Sequence, residues 1–388
     1  MTYHPVANLP RSRLQDPSSI LLGAHLPYTK DMPIKEIRVR GMRPYDLFSV
    51  VLDEHMTLVL GNNGTGKTTL LEALFYMAQG TSFRGRDRDM IAHDSTRTDL
   101  LQIDNDGSER RASLQQSADD KVKKSFIIDG KTTMRMLAKH RQPVVLFEPD
   151  ELRLLSSSPE RRRKFFDGIL TRLYPQYATV LARYQRVLMQ RNELLKQREM
   201  LDSETWESQL FVWDIKLAEL ATTITTMRRE FIVTSNTHIG RLYSVLADAE
   251  HHVTISYVSS IGADNYRQSL INHLTAQRIT DSYRGYTSSG PHRDDFSVQL
   301  DGHAAGETAS RGEMRSIMLA YKLLEIELQQ EAYGSTPLIL MDDVFSELDV
   351  TREQQLMAAL VGYQTVITAT DLRDELKIHA KIVTLHES

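Results

Sequence analysis

The chain has 388 residues, a net charge of −4, 41% hydrophobic and 25% charged residues, and no cysteine. That length suggests two or three domains, and the composition suffices for a packed core. Disulfides and thiolate metal sites are excluded, a reducing, cytoplasmic setting fits, and no apolar run approaches the ~20 residues of a membrane span.

The N-terminus shows no signal-peptide apolar region. Residues 1–33 are polar and proline-containing without periodicity, and are expected to be a weakly ordered extension. IKEIRVRGM at Ile34–Met42 alternates like a strand, and LFSVVLDE and MTLVL continue the β pattern. Next comes GNNGTGKT at Gly61–Thr68, followed by the helix-forming LLEALFYMA. LLQIDND, RRASLQQ and KSFIIDG read as a meander of short strands. MRMLAKH reads as a short helix, and PVVLFEPDEL as a strand entering a polar loop.

From about Ser156 the pattern turns helical and basic. Ser158 suits an N-cap, Pro159 the first helical position, and Pro175 predicts a break into two helices. A second pair is expected over Glu204–Thr234 and Thr234–Glu250. VTISYVSS reads as a strand and NYRQSLINHLTAQRITDSYRG as a helix. The mainly helical block from about 155 to 285 is therefore read as an insertion in an α/β frame formed by 34–154 and 286–388. The frame resumes with a strand in SGPHRDDFSVQLDG. ASRGEMRSIMLAYKLLEIELQQEA then gives a helix, PLILMDD a buried strand, REQQLMAALVG a helix and QTVITATD a strand. No internal repeat or low-complexity tract is found.

The stretch at Gly61–Thr68 fits G-x-x-x-x-G-K-S/T in a strand–loop–helix setting, which is what phosphate binding requires. Gly61, Gly64 and Gly66 let the backbone N–H groups of the loop, including Asn62, Asn63 and Thr65, turn onto phosphates. The helix N-terminus at Lys67–Thr69 adds its dipole. Lys67 reaches the β- and γ-phosphates, and Thr68 offers a hydroxyl to Mg²⁺. The strand LILMDD ends in Asp342, a second Mg²⁺ ligand, with Asp343 beside it. ATP and Mg²⁺ are the cofactors that this pairing implies.

A serine-capped helix about 30 residues before the aspartate strand resembles the order in ABC-type ATPases. The resemblance implies a head with a mixed sheet around the phosphate loop. It implies that Ser310 and Gly312, in SRGEMR, touch a γ-phosphate held by a second subunit. It also implies that Asp349, in SELD, faces that subunit, and that Asp343 is the catalytic carboxylate where many relatives carry Glu. The helical insertion resembles the SMC-like branch. SFRGRDRDMI, FEPDEL, SPERRRKFFD, RYQRVLMQRNELLK and SGPHRDD narrow the match to the RecF family of bacterial recombination mediators, from about Ile34 to Thr370. That resemblance implies an ATP-dependent homodimer on double-stranded, gapped or junction DNA. It further implies weak, DNA-stimulated hydrolysis, and work with RecR and RecO in loading recombinase at single-strand gaps. Two departures stand out: Arg311 and Glu313 replace glutamines in the signature loop, and the N-terminal extension is unusual.

Three basic clusters are candidate DNA contacts. They are Arg84, Arg86 and Arg88; Arg161, Arg162, Arg163 and Lys164; and Arg183, Arg186, Arg191, Lys196 and Arg198. Such residues neutralise phosphates without reading bases; solvated helix faces are the competing reading. Glu148 and Asp150 occupy a stretch where relatives contact Mg²⁺ or water, or else form a solvated turn. Thr368 and Thr370 stand where relatives carry a switch histidine. His292 and Arg293 either support the composite site or, the favoured reading, order their loop. His251 and His252 show no metal-site spacing. The other functions weighed are a transport-energising ABC subunit and a non-hydrolysing ATP-binding scaffold; the insertion and the basic clusters argue against the former.

Overall fold

A computed structural model describes residues 33–247, 251–370 and 380–385. The expected order of 1–33 therefore lies outside the described residues apart from Pro33. Strands β1 (Ile34–Met42) and β2 (Tyr45–Val51) form a hairpin, and β3 (Met56–Leu60) enters the phosphate loop. Helix α1 (Lys67–Gln79) follows it. Strands β4 (Arg97–Asp104), β5 (Glu109–Gln116), β6 (Val122–Ile128) and β7 (Lys131–Thr133) form the expected meander. Together with the hairpin they make an antiparallel sheet in the order β2-β1-β4-β5-β6-β7. The expected helix in MRMLAKH shrinks to a 3-10 turn at Ala138–His140.

After β8 (Val144–Phe147) come α2 (Pro159–Leu173), α3 (Pro175–Lys196) and α4 (Ser203–Ala247). The break at Pro175 is as predicted. The expected break at Thr234 is absent, and α4 runs unbroken for 45 residues, about 68 Å. The hydroxyls at this point bond back along the helix, Ser235 to the Phe231 carbonyl at 2.7 Å and Thr234 to that of Glu230 at 3.3 Å. Asn236 meanwhile clasps both backbone groups of Ile255. Strand β9 (Val253–Val258) and helix α5 (Tyr266–Arg284) complete the block.

Strands β10 (Asp295–Leu300) and β11 (His303–Ala304) join β9 in a small sheet, so the helical block shares a sheet with the first strands of the resumed frame. Helix α6 (Arg311–Tyr333), β12 (Leu338–Asp342), α7 (Val350–Ala359) and β13 (Thr365–Ala369) come next. A last strand, β14 (Lys381–Thr384), was not anticipated; its four half-exposed residues carry too little pattern to be read.

The second large sheet is wholly parallel, in the order β14-β3-β13-β12-β8. Apart from β14, its strands are apolar runs buried on both faces, as parallel sheets require. Val59, Leu340 and Val366 face α1 and the antiparallel sheet in one core, while Leu58, Met341 and Ile367 join the helices in the other. Period-two alternation puts neighbouring residues into different cores. Helix α1 is buried along nearly its whole length between the two sheets, and for that reason residues 70–78 are apolar on every side except at Glu72.

Candidate functional site

The phosphate loop leaves β3 at its C-terminal end, beside the ends of β12 and β13, where parallel sheets place their ligands. Gly66 caps α1 with φ of 92°, a left-handed conformation that favours glycine. A Cβ there would also meet the Tyr45 hydroxyl at 2.3 Å. Tyr45 donates to the Thr65 carbonyl at 3.1 Å, so the β1–β2 turn braces the loop from outside. Lys67 folds back along the loop and donates to the carbonyls of Gly61 (2.5 Å) and Asn62 (2.8 Å).

The two halves read far apart in sequence meet here. Thr68 donates its hydroxyl to Asp342 Oδ1 at 3.0 Å, across 274 residues. Thr368, which stands where relatives carry a switch histidine, lies fully buried. Its Oγ1 sits 2.8 Å from Asp342 Oδ1 and 3.2 Å from the Met341 carbonyl, so it orients Asp342 from beneath. Thr370 is exposed. Asp343 takes up φ of 51°, which Asp tolerates better than most residues, and its N–H donates to the Thr368 carbonyl at 3.0 Å. Partial burial raises its carboxyl above the usual range, against the pull of Lys67 and with the push of Asp342.

Gly66, Lys67, Thr68, Asp342 and Asp343 line a cleft of about 400 Å³, together with Asn63, Gly64, Thr69 and Pro149. Two arginines line it as well, Arg43 and Arg84. Sequence reasoning overlooked Arg43, whose only local signal is its place in the turn before Tyr45. Arg84, expected on DNA, is placed by the fold at the cleft.

Glu148 follows β8, the strand beside the one that ends in Asp342. Burial, then the charges of Glu151 and Asp342, push its carboxyl up to about 7, with Lys322 pulling the other way. A carboxyl with a raised folded-state pKa stabilises most below its unfolded value. That contribution disappears as pH rises from about 4.5 through about 7. In the nucleotide-free protein, Glu148→Gln is therefore expected to be more stable than the parent by about 1–2 kcal/mol at pH 8, and equal to it at pH 4. Urea unfolding at both pH values measures this, and a gain that is independent of pH would refute it.

Ser310 and Asp349 are helix caps. Ser310 accepts from the Glu313 N–H at 3.2 Å, and Glu313 accepts from the Ser310 N–H at 2.6 Å. Glu313 thus closes a capping box, which gives this departure from the family loop a local role. Asp349 accepts from the Arg352 N–H at 3.0 Å and also pairs with its guanidinium. Arg352 Nε donates to Ser316 at 2.7 Å, and a Cβ on Gly312 would meet the same guanidinium at 3.0 Å. Arg352, unnoticed in the sequence, thereby ties the Asp349 cap to the first turns of α6. Ser310 is exposed and does not line the cleft of its own chain.

The basic clusters divide. Arg162 forks onto Asp295 at 2.5 and 3.0 Å, and Arg163 donates to the Asp294 carbonyl at 2.6 Å. Arg191 is fully buried between Asp214 (2.7 Å) and Asp281 (3.2 Å). All three are corrections to the DNA reading, because their guanidinium groups already serve internal acceptors. Arg86, Arg88, Arg161, Arg183 and Arg186 are exposed. The ion pairs of Arg88 with Asp120 and of Arg161 with Asp150 are solvent-facing and weak.

His292 orders its loop. Its Nδ1 lies 2.6 Å from the Tyr184 hydroxyl and its Nε2 lies 3.0 Å from the Thr287 carbonyl. Burial pushes its pKa down to about 4, so the ring is neutral, donating from Nε2. His251 has a carboxylate after all, Asp301 at 2.6 Å, supplied by a turn 50 residues away. Among the described residues no cluster of three or more metal-ligating side chains occurs, and no helix is long and apolar enough to cross a membrane.

Strand–loop–helix, aspartate strand and the sheet between them define an ABC-type P-loop ATPase head. The family model described as RecF/RecN/SMC N terminal domain matches residues 33–371. A "DNA replication and repair protein RecF" of Chloroflexus aggregans is 34% identical over 373 residues, covering 88% of this chain and 94% of the relative. One of Lachnoclostridium phytofermentans, with the same name, is 32% identical over 352 residues, with the same coverage. A solved structure described as the recombination mediator protein RecF-ATPrS in the RecFOR pathway aligns with a TM-score of 0.81 at 27% identity. It covers 92% of this chain and 96% of the other. This chain belongs to the RecF family.

Proposed function

We propose that the protein is an ATP-dependent DNA-binding ATPase of recombinational repair, which closes as a dimer on DNA with ATP between its two copies. The observation that carries this reading is the junction of Thr68 with Asp342, which places a hydroxyl and a carboxylate oxygen together beside the phosphate loop. Such an all-oxygen donor pair suits Mg²⁺ shared with phosphates. When bound, Mg²⁺ would neutralise charge on the β- and γ-phosphates.

The chain's own groups do the rest. The loop N–H groups of Gly61–Thr69 and Lys67 hold phosphate, and Lys67 exchanges its carbonyl partners for the ligand. Arg43 and Arg84 add charge at the rim. Asp343 orients and deprotonates water. Ser310 and Gly312 of the second copy close the site, with Asp349 at the contact; the exposure of Ser310 outside its own cleft supports this. The head comprises 34–154 and 286–388, and 155–285 forms the arm. Arg86, Arg88, Arg161, Arg183 and Arg186 supply phosphate contacts to DNA. Relatives named for DNA replication and repair, and a neighbour named for the RecFOR pathway, support DNA, RecR and RecO as partners and recombinase loading as the task. A cytoplasmic location follows from that task.

Mass in solution tests the reading. The protein with Mg²⁺, saturating ATP and duplex DNA is expected to double in mass, and with ADP to stay single. A single mass under both conditions would overturn it.

A further inference from the structure

We infer that Glu72 is a positioning residue that holds both Arg43 and Arg84 at the phosphate cleft. The inference rests on reading that cleft as the ATP site. Glu72 lies on α1 and is fully buried. A carboxylate in such a place is costly unless it is paired or hydrogen-bonded.

Its two oxygens serve different elements. Oε1 accepts from the Ser82 hydroxyl at 2.5 Å. Ser82 Oγ in turn accepts the N–H groups of Arg84 at 3.0 Å and Gly85 at 3.2 Å. The backbone that carries Arg84 is thereby tied to α1. Oε2 has no hydrogen-bond partner and lies 3.8 Å from Arg43 Nη2. Arg43 Nε also has no partner, so the ion pair is the main restraint on this guanidinium. Arg43 precedes Pro44 and Tyr45, the residues that press on Gly66.

One buried carboxylate therefore meets the two segments that bring arginines to the cleft from outside the phosphate loop. Arginine forks suit phosphate oxygens, and their contribution depends on being held in place before the ligand arrives. Glu72 supplies that hold to Arg43 through charge and to Arg84 through Ser82. It touches no ligand itself.

Double-mutant cycles on the full chain test this, read as the Kd for ATP with Mg²⁺. Glu72→Gln is expected to raise Kd about tenfold, and Ser82→Ala about threefold. In an Arg43→Ala, Arg84→Ala background, each is expected to add less than about twofold. A purely structural carboxylate would instead lower the melting temperature of the nucleotide-free protein and cost the same in both backgrounds. Equal costs in both, or unchanged affinity in folded Glu72→Gln, overturns the inference. If Glu72→Gln does not fold, the Ser82 and Arg84 cycle decides alone, and additivity there overturns it. Failure of the parent protein to bind ATP would instead refute the reading of the cleft.

Discussion

Asp343→Asn is expected to bind ATP and Mg²⁺ as the parent does while its turnover falls by about 10²–10⁴-fold, the usual contribution of a positioned base. The substitution keeps the shape of the side chain. Asn tolerates the left-handed backbone at this position as well as Asp does, so the loop after β12 stays in place. What is lost is the ability to accept a proton. Burial raises the carboxyl of Asp343 above the ordinary range, which brings it closer to neutral pH and makes it a better base there. Asp342, held by Thr68 and Thr368, is untouched, so the Mg²⁺ contact survives. Asp343 is also one methylene shorter than the Glu of many ABC-type ATPases. Parent turnover is accordingly expected below the median enzyme rate of about 10 per second. Steady-state hydrolysis alongside equilibrium ATP binding measures both. Unimpaired turnover in the variant would remove Asp343 from the chemistry.

Arg191→Ala is expected to cost about 3–5 kcal/mol of folding free energy, a large part of the ~5–15 kcal/mol that holds a typical domain together. Arg191, Asp214 and Asp281 are all fully buried. Arg191 also donates to Thr287 at 2.8 Å, and Arg278 shares Asp214 at 2.9 Å. The cluster joins α3, α4 and α5 to the loop that carries His292. Two arginines balance two aspartates there. Removing one leaves buried negative charge that neither water nor Arg278 can neutralise. Arg183→Ala, on an exposed face of the same helix, is expected to change stability by no more than about 0.5 kcal/mol. Chemical denaturation of the two variants gives the comparison, and similar small effects would mean that water reaches the cluster.

The same pair shows where the sequence stops being informative. Arg183, Arg186 and Arg191 look alike along one basic helix. Only the neighbours supplied by α4 and α5, 23 and 90 residues further on, make Arg191 internal. Arg162 became internal in the same way, through Asp295, while Arg161 did not. Charge in a sequence reports that a cation exists, whereas its partner is chosen by packing.

The phosphate loop, the aspartate strand, the capping serines and the parallel strands were legible because each depends on its own few residues. Glycine at a left-handed position, a serine before a helix, and an unbroken apolar run act over one turn or one strand. The tertiary structure alone decided that Thr368 lies beneath Asp342 and that Arg84 comes to the cleft. It also decided that His251 meets Asp301 and that α4 passes Thr234 without a break. Thr368 with Asp342, and His251 with Asp301, pair groups distant in sequence, Arg84 is held through Ser82 by Glu72 on α1, and the hydroxyls at Thr234 and Ser235 find carbonyls within their own helix. Neither periodicity nor local propensity records which partner a polar group takes.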